Sequence, residues 1–141
     1  MARSAKNSSS GSTLASLPPY GALLLRLALG AIMIYHGYGK VIPDGGMDRF
    51  AHYIVSLGMP YWLGYVSALT EFAGGILLLF GLLTRPVAAL IAINMLVALL
   101  KVNIHQDFDS CQLTILLIAI AISLICSGGG AHTLDRKIGF A

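Results

Sequence analysis

Four blocks of mostly apolar residues alternate with short polar segments along the chain. They cover about residues 20–38, 61–83, 86–104 and 111–127. A helix that crosses a bilayer needs about 20 mostly apolar residues. A helix also satisfies its own backbone hydrogen bonds, as a segment in lipid must. The pattern therefore predicts an all-α integral membrane protein, a four-transmembrane-helix bundle. A buried helical hairpin is the alternative for the last two, shorter blocks.

The segments between the blocks carry residues that end helices or form turns. They contain Pro43-Asp44-Gly45-Gly46, Gly58-Met59-Pro60, Thr84-Arg85-Pro86 and Gly128-Gly129-Gly130. Proline suits the first turn of a helix, and glycine commonly follows the last. These positions predict where each spanning helix begins or ends.

A shorter amphipathic segment lies between the first and second blocks. Met47, Phe50, Ala51, Ile54 and Leu57 recur at helical spacing, and polar residues occupy the opposite face. A helix with one apolar and one polar face suits the plane of the membrane interface. We therefore expect a short interfacial helix between helices 1 and 2.

The remaining segments define the domain organisation. Residues 1–19 are rich in serine and predict a disordered cytoplasmic tail. We expect residues 20–137 to form a single four-helix membrane domain and residues 138–141 to form a C-terminal tail. We expect the first block to be a retained helix rather than a cleaved signal peptide, because Arg26 interrupts its apolar core and no A-x-A-like cleavage site follows.

Composition supports lipid as the solvent of this chain. Of its 141 residues, 57% are hydrophobic and 11% are charged, and the mean hydropathy is +0.81. Soluble domains carry about 25% charged residues. The net charge of +3 is spread along the chain without a basic stripe, so we expect the lipid bilayer, and no nucleic acid, as a partner.

Basic residues predict the orientation of the helices. Four spans place both termini on one side, and that side holds Arg3, Lys6, Arg85, Arg136 and Lys137. The opposite side carries fewer basic residues and most of the aspartates. Because positive residues favour the cytoplasm, we expect a protein of the plasma (inner) membrane with cytoplasmic N- and C-termini.

Three polar residues interrupt the apolar blocks at depth. Arg26, Glu71 and Asn94 belong to different predicted helices. A charged group at the bilayer centre costs at least about 2.5–3.5 kcal/mol, so a partner is expected. We predict one buried polar cluster of these residues, in which Arg26 pairs with Glu71. The cluster is either a substrate or proton site or a polar clasp that fixes helix register.

Further polar residues continue from this depth toward the outer surface. Lys40 follows Arg26 on one helical face, and Lys101 and His105 follow Asn94 on another. With His36, these residues predict an outward-facing pocket. The alternative is that the lysines and His105 only reach for the interface. His36 and His105 without a further ligand are a weak metal signal, so no metal site is predicted.

An ordered set of short motifs resembles the DoxX family. The motifs are Arg26-Leu27-Ala28-Leu29-Gly30, His36-Gly37 with Lys40, Leu57-Gly58-Met59-Pro60, Glu71 with Gly74-Gly75, Gly81-Leu82-Leu83-Thr84-Arg85, and the ending Gly128-Gly129-Gly130-Ala131-His132-Thr133-Leu134-Asp135. The resemblance extends from about residue 22 to 137. Thr133 replaces the family's usual serine, and Ala131 replaces a commonly basic residue.

The resemblance implies a function in redox chemistry at the membrane. DoxX proteins are similar to the DoxD membrane subunit of thiosulfate:quinone oxidoreductase. The chain is accordingly expected to be a membrane subunit or anchor of a quinone-linked sulfur or thiol redox system. Quinone is the cofactor that this implies, and the partners are an oxidoreductase subunit and, in a homo-oligomer, a second copy. Two alternatives stay open, a small-solute carrier or permease and a non-catalytic scaffold, so the sequence does not decide whether the chain is itself an enzyme.

Overall fold

The computed structural model describes residues 18–105 and 108–139, and every regular element in them is helical. The elements are α1 (Pro18–Val41), α2 (Gly46–Ser56), α3 (Tyr61–Phe80), α4 (Thr84–Lys101), a 3₁₀ turn (Asn103–His105), α5 (Phe108–Ser127) and α6 (Leu134–Ile138). Most of the predicted N-terminal tail, residues 1–17, lies outside the described residues. The last two residues of that tail, Pro18 and Pro19, instead form the start of α1, where proline is well tolerated.

Three helices of the described chain are long and apolar enough to cross a membrane. They are Tyr20–Val41, Tyr61–Phe80 and Thr84–His105. The apolar part of α5, Cys111–Ser127, is shorter, so the fourth span stays a prediction. The structure is a membrane helical bundle, as the apolar blocks predict.

Glycine allows α1 and α3 to pack backbone against backbone. A Cβ on Gly30 would lie 2.9 Å from the carbonyl oxygen of Gly75, and a Cβ on Gly37 would lie 2.5 Å from the backbone nitrogen of Phe72. Small residues of this kind permit close helix approach in membranes. The two contacts fix the antiparallel register of α1 and α3, so residues late in α1 lie beside the middle of α3.

One apolar core joins the four longest helices. Its largest fully buried side chains are Leu29, Met33, Leu78, Ile91, Leu117 and Leu124. Leu29 lies in the first half of α1, and Leu78 and Leu124 lie near the C-terminal ends of α3 and α5. Leu29, Leu78 and Leu124 therefore fill the half of the bundle that faces the C-terminal segment.

The C-terminal segment folds back and caps the start of α4. The Asp135 carboxylate accepts hydrogen bonds from the backbone N–H groups of Leu83 (2.6 Å) and Thr84 (2.9 Å). Its own N–H donates to the carbonyl of Gly81 at 3.0 Å. The first N–H groups of a helix lack acceptors inside the helix, and here a buried carboxylate is their acceptor. The capping contact ties α6 to the α3–α4 connection.

Candidate functional site

A cavity lies between α1, α2, α3, α4 and α5, in the half of the bundle away from the C-terminal segment. Its volume is about 340 Å³, within the range of about 300–1,000 Å³ that small-molecule sites occupy. Most of its wall is apolar, and its polar side chains include His36, Lys40, Ser67, Thr70, Glu71, Asn94, Asn103 and Thr114. A largely apolar wall with a few convergent polar groups is typical of a ligand site.

Glu71 is the centre of the polar part of the cavity. The Lys40 ammonium donates to both of its carboxylate oxygens, at 2.7 Å and 2.6 Å. The Asn94 amide donates to the same carboxylate at 3.1 Å. The side chain of Glu71 is only 4% exposed, and that of Lys40 is 24% exposed. We call Lys40, Glu71 and Asn94 the polar cluster.

The local sequence explains why Lys40 reaches Glu71. Gly37 lies one turn before Lys40 and brings the α1 backbone against Phe72, the residue after Glu71. On the α3 side, Gly64, Ala68, Gly74 and Gly75 are buried with Glu71. Close approach of the two backbones therefore puts an ammonium and a carboxylate in contact inside the bundle.

An aromatic ring from α2 covers the ammonium of the polar cluster. The Lys40 Nζ atom lies 4.2 Å from the centroid of the Phe50 ring, a cation–π distance. Phe50 also lines the cavity. The ammonium is thus held between a carboxylate and a ring face, and α2 contributes directly to the site.

The prediction that Arg26 pairs with Glu71 is wrong. Lys40 follows Arg26 by 14 residues on α1 (40 − 26), which is about 21 Å along a helix axis. Because Lys40 contacts Glu71, Arg26 lies too far toward the other end of α1 to reach it. Lys40, predicted as part of the outer pocket, takes the place of Arg26 in the polar cluster.

Arg26 instead holds the C-terminal segment. Its guanidinium donates to the carbonyls of Gly129 at 3.1 Å and His132 at 3.4 Å, and Asp135 contributes a favourable charge nearby. The residue is 2% exposed. Arg26 is therefore a buried structural contact at the end of the bundle opposite the cavity.

The predicted outer-facing pocket is only partly assembled. His36 and Lys40 line the cavity, whereas Lys101 and His105 are exposed and do not line it. Within the described ranges, no three His, Cys, Asp or Glu side chains lie close enough together to hold a metal ion. Of the seven residues predicted for the two sites, the structure brings His36, Lys40, Glu71 and Asn94 to one cavity.

The sequence interpretation missed three residues at the site. Phe50 was assigned only to the apolar face of an interfacial helix. Asn103 and Thr114 were assigned no role, and the Asn103 amide donates to the Thr114 hydroxyl at the cavity wall. The Cys111 thiol adds a hydrogen bond to the Asn103 carbonyl at 3.0 Å. Polar residues at the ends of two neighbouring apolar blocks were the available signal.

A second polar contact attaches α2 to α3 beside the cavity. The hydroxyls of Tyr61 and Tyr65 both donate to the Asp48 carboxylate. A Cβ on Gly64 would lie 2.5 Å from the Cα atom of Ala51, so the backbones are close here too. The hydrogen bonds from Tyr65 and Tyr61 hold the pKa of the Asp48 carboxyl below its usual range. These contacts keep Phe50 in place over Lys40.

Known proteins with similar sequences identify the family of this chain. Residues 21–104 match the DoxX family. The chain is 34% identical over 116 residues to the Bacillus subtilis (strain 168) protein named "Putative oxidoreductase CatD", covering 82% of this chain and 84% of that protein. It is 30% identical over 129 residues to the Escherichia coli (strain K12) "Inner membrane protein YqjF", covering 86% and 95%. No solved structure matches significantly. The chain belongs to the DoxX family of membrane proteins.

Proposed function

We propose that the chain is a membrane subunit of a quinone-linked redox system and that its cavity binds the quinone headgroup. The observation that carries this proposal is the polar cluster, which faces a cavity with mostly apolar walls. A similar Bacillus subtilis protein bears an oxidoreductase name, which supports a role in electron transfer.

The chemistry of the polar cluster suits both redox forms of a quinone. The Lys40 ammonium can donate a hydrogen bond to a quinone carbonyl, and the Glu71 carboxylate can accept a hydrogen bond from a hydroquinone hydroxyl. Asn94 holds one Glu71 oxygen and so fixes the orientation of the carboxylate. The bound quinone would supply the redox chemistry, and an oxidoreductase partner with a sulfur or thiol donor would supply the electrons.

The proposal includes four crossings of the plasma (inner) membrane with both termini in the cytoplasm. Helix α5 has 20 residues, or about 30 Å, which matches the hydrocarbon thickness. Helix α2 then lies in the outer interface, with Asp48, Arg49 and His52 exposed. The "inner membrane" name of the Escherichia coli relative supports the location. In this orientation the cavity belongs to the outer half of the bundle.

The carrier alternative gains no support from the packing. The fully buried Leu29, Leu78 and Leu124 fill the bundle between the cavity and the C-terminal segment, so the described packing leaves no path from the cavity toward that end of the bundle. A non-catalytic scaffold, alone or as a homo-oligomer, needs no ligand in the cavity. Ligand binding therefore separates the redox subunit from the scaffold.

The test is quinone binding by the purified chain in lipid nanodiscs. The probe is a benzoquinone with one isoprene unit, titrated against wild type, the double variant Lys40→Met/Glu71→Gln, and the control Lys101→Met. Lys101 is an exposed lysine outside the cavity. We expect wild type and the control to bind alike. The double variant should bind about tenfold or more weakly, a loss of about 1.4 kcal/mol, and should retain most of its thermal stability. Wild-type protein that binds no quinone would refute the redox-subunit proposal and favour the scaffold.

A further inference from the structure

The wall of the cavity reaches the outside of the bundle between α3 and α4. Val66, Leu90 and Ile93 line the cavity, yet they are 48%, 57% and 61% exposed. Side chains with one face toward a cavity and another toward the surroundings mark an opening. We call these three residues the lateral opening.

The lateral opening lies at the depth of the hydrocarbon layer. Glu71 is ten residues from Tyr61, the first residue of the 20-residue helix α3 (71 − 61), and so lies about 15 Å from either end. Asn94 contacts Glu71, so Ile93, its neighbour on α4, lies at the same depth. Lipid, rather than water, surrounds this part of a spanning helix. The opening therefore connects the cavity with the bilayer interior.

The charges inside the cavity select the kind of headgroup that fits. Lys40 and Glu71 neutralise each other at 2.6 Å, so together they leave no net charge to compensate an ionic headgroup. Bringing an unpaired charge into a low-dielectric site is costly. A neutral head with hydrogen-bonding oxygens meets the polar cluster without that cost. A phospholipid headgroup would add a phosphate without a free cation of this cluster to pair with it.

From this geometry we propose that the ligand enters sideways from the bilayer and that its long apolar tail remains in the lateral opening. The ligand is a neutral, single-tailed amphipath: its head contacts the polar cluster, and its tail passes Val66, Leu90 and Ile93 into lipid. This inference rests on the proposed quinone site and names the route and the tail that the site accepts. It makes the three residues of the opening determinants of tail recognition.

The experiment compares two probes that share one benzoquinone head. One probe carries a single isoprene unit and the other a decyl tail, and both are titrated against the protein in nanodiscs. Ile93→Trp fills the lateral opening. The matched control is Leu96→Trp, because Leu96 is 46% exposed on the same helix and does not line the cavity. We expect Ile93→Trp to weaken binding of the decyl probe about tenfold or more, which corresponds to about two buried methylene groups. The affinity for the short probe should change by less than about twofold. The control variant should change the affinity for neither probe.

A second pair of variants tests the same opening in case Ile93→Trp does not fold. Val66→Trp on α3 fills the opening from the other side, and Leu69→Trp is its control, since Leu69 is 46% exposed and outside the cavity lining. Equal weakening of both probes, or no weakening of either, would overturn the lateral route while leaving the quinone site intact. Wild-type protein that binds neither probe would overturn the quinone site itself, and the lateral route with it.

Discussion

Lys40 and Glu71 are 31 residues apart in the sequence, and their charged atoms meet at 2.6 Å and 2.7 Å inside the bundle. The pair joins the last turn of α1 to the middle of α3. A buried ion pair contributes little net stability, because desolvation offsets the attraction. Removing one partner is different, since it leaves the other charge buried and unpaired. The polar cluster is therefore sensitive to single substitutions and tolerant of paired ones.

The first prediction is a double-mutant cycle on this pair. Glu71→Gln or Lys40→Met alone should lower the free energy of unfolding by about 3 kcal/mol, and less for Glu71→Gln, since Lys40 is 24% exposed and can turn toward solvent. The double variant should recover much of the loss. In a cycle that combines Glu71→Gln with Arg26→Gln, the losses of stability should add, because distant sites do not couple. Thermal unfolding in detergent measures all variants, and coupling of Glu71 to Arg26 rather than Lys40 would contradict the structure.

A second prediction concerns the close approach of α1 and α3. Alanine at an exposed helix position is favoured over glycine by about 1 kcal/mol. Gly39→Ala should therefore be neutral or stabilising, since no atom lies within 4 Å of a Cβ added at this position. Gly37→Ala should destabilise, because its Cβ would lie 2.5 Å from the Phe72 backbone nitrogen, and should also weaken probe binding by displacing Lys40. Equal melting temperatures for the two variants would argue against backbone contact at Gly37.

The C-terminal cap provides a third prediction. Asp135→Ala leaves the N–H groups of Leu83 and Thr84 without their carboxylate acceptor, and each lost partner of a buried group costs about 1–3 kcal/mol. Asp135→Asn, which keeps one oxygen, should cost less. Limited trypsin digestion should then cut faster at Arg136 and Lys137. The control Asp44→Ala removes an exposed carboxylate and should leave the digestion rate unchanged; a faster rate in the control would discredit the assay.

Topology gives the fourth prediction. With four spans, a reporter fused after residue 45 and one fused at the C-terminus should lie on opposite sides of the membrane, the first outside and the second in the cytoplasm. Paired alkaline phosphatase and fluorescent protein fusions measure this. The same side for both reporters would remove one span, and α5 would be the first helix to reconsider, because its apolar part is the shortest.

The fifth prediction is the titration of Asp48. Hydrogen bonds from Tyr65 and Tyr61 lower the pKa of this carboxyl in the folded protein. A carboxyl with a lowered folded pKa stabilises the fold above its unfolded pKa of about 3.9, and the contribution disappears as the pH falls through the folded value. The variant Tyr61→Phe/Tyr65→Phe should return the Asp48 pKa to its ordinary range. Carboxyl NMR titration measures the change, and an unchanged pKa would show that the phenols do not control it.

The sequence by itself determined the elements of this protein and the burial of Glu71. A long apolar block in lipid satisfies its backbone hydrogen bonds as a helix, and prolines and glycines lie close to the observed helix ends. The small residues Gly64, Ser67, Ala68, Gly74 and Gly75 share the helical face of Glu71, a pattern that favours contact with another helix. All of them except Ser67 are buried in the structure. These inferences depend on spacing within one segment, and such spacing is visible along the chain.

Only the tertiary structure decided which cation Glu71 meets. The choice between Arg26 and Lys40 depends on the register of α1 against α3, and the Gly30–Gly75 and Gly37–Phe72 contacts set that register. A shift of α1 along its axis changes no residue's helical face, so periodicity cannot report it. The cap from Asp135 and the cavity likewise arise between segments far apart in sequence. Helix faces are local properties of a sequence, whereas depth, pairing and cavities are properties of packing.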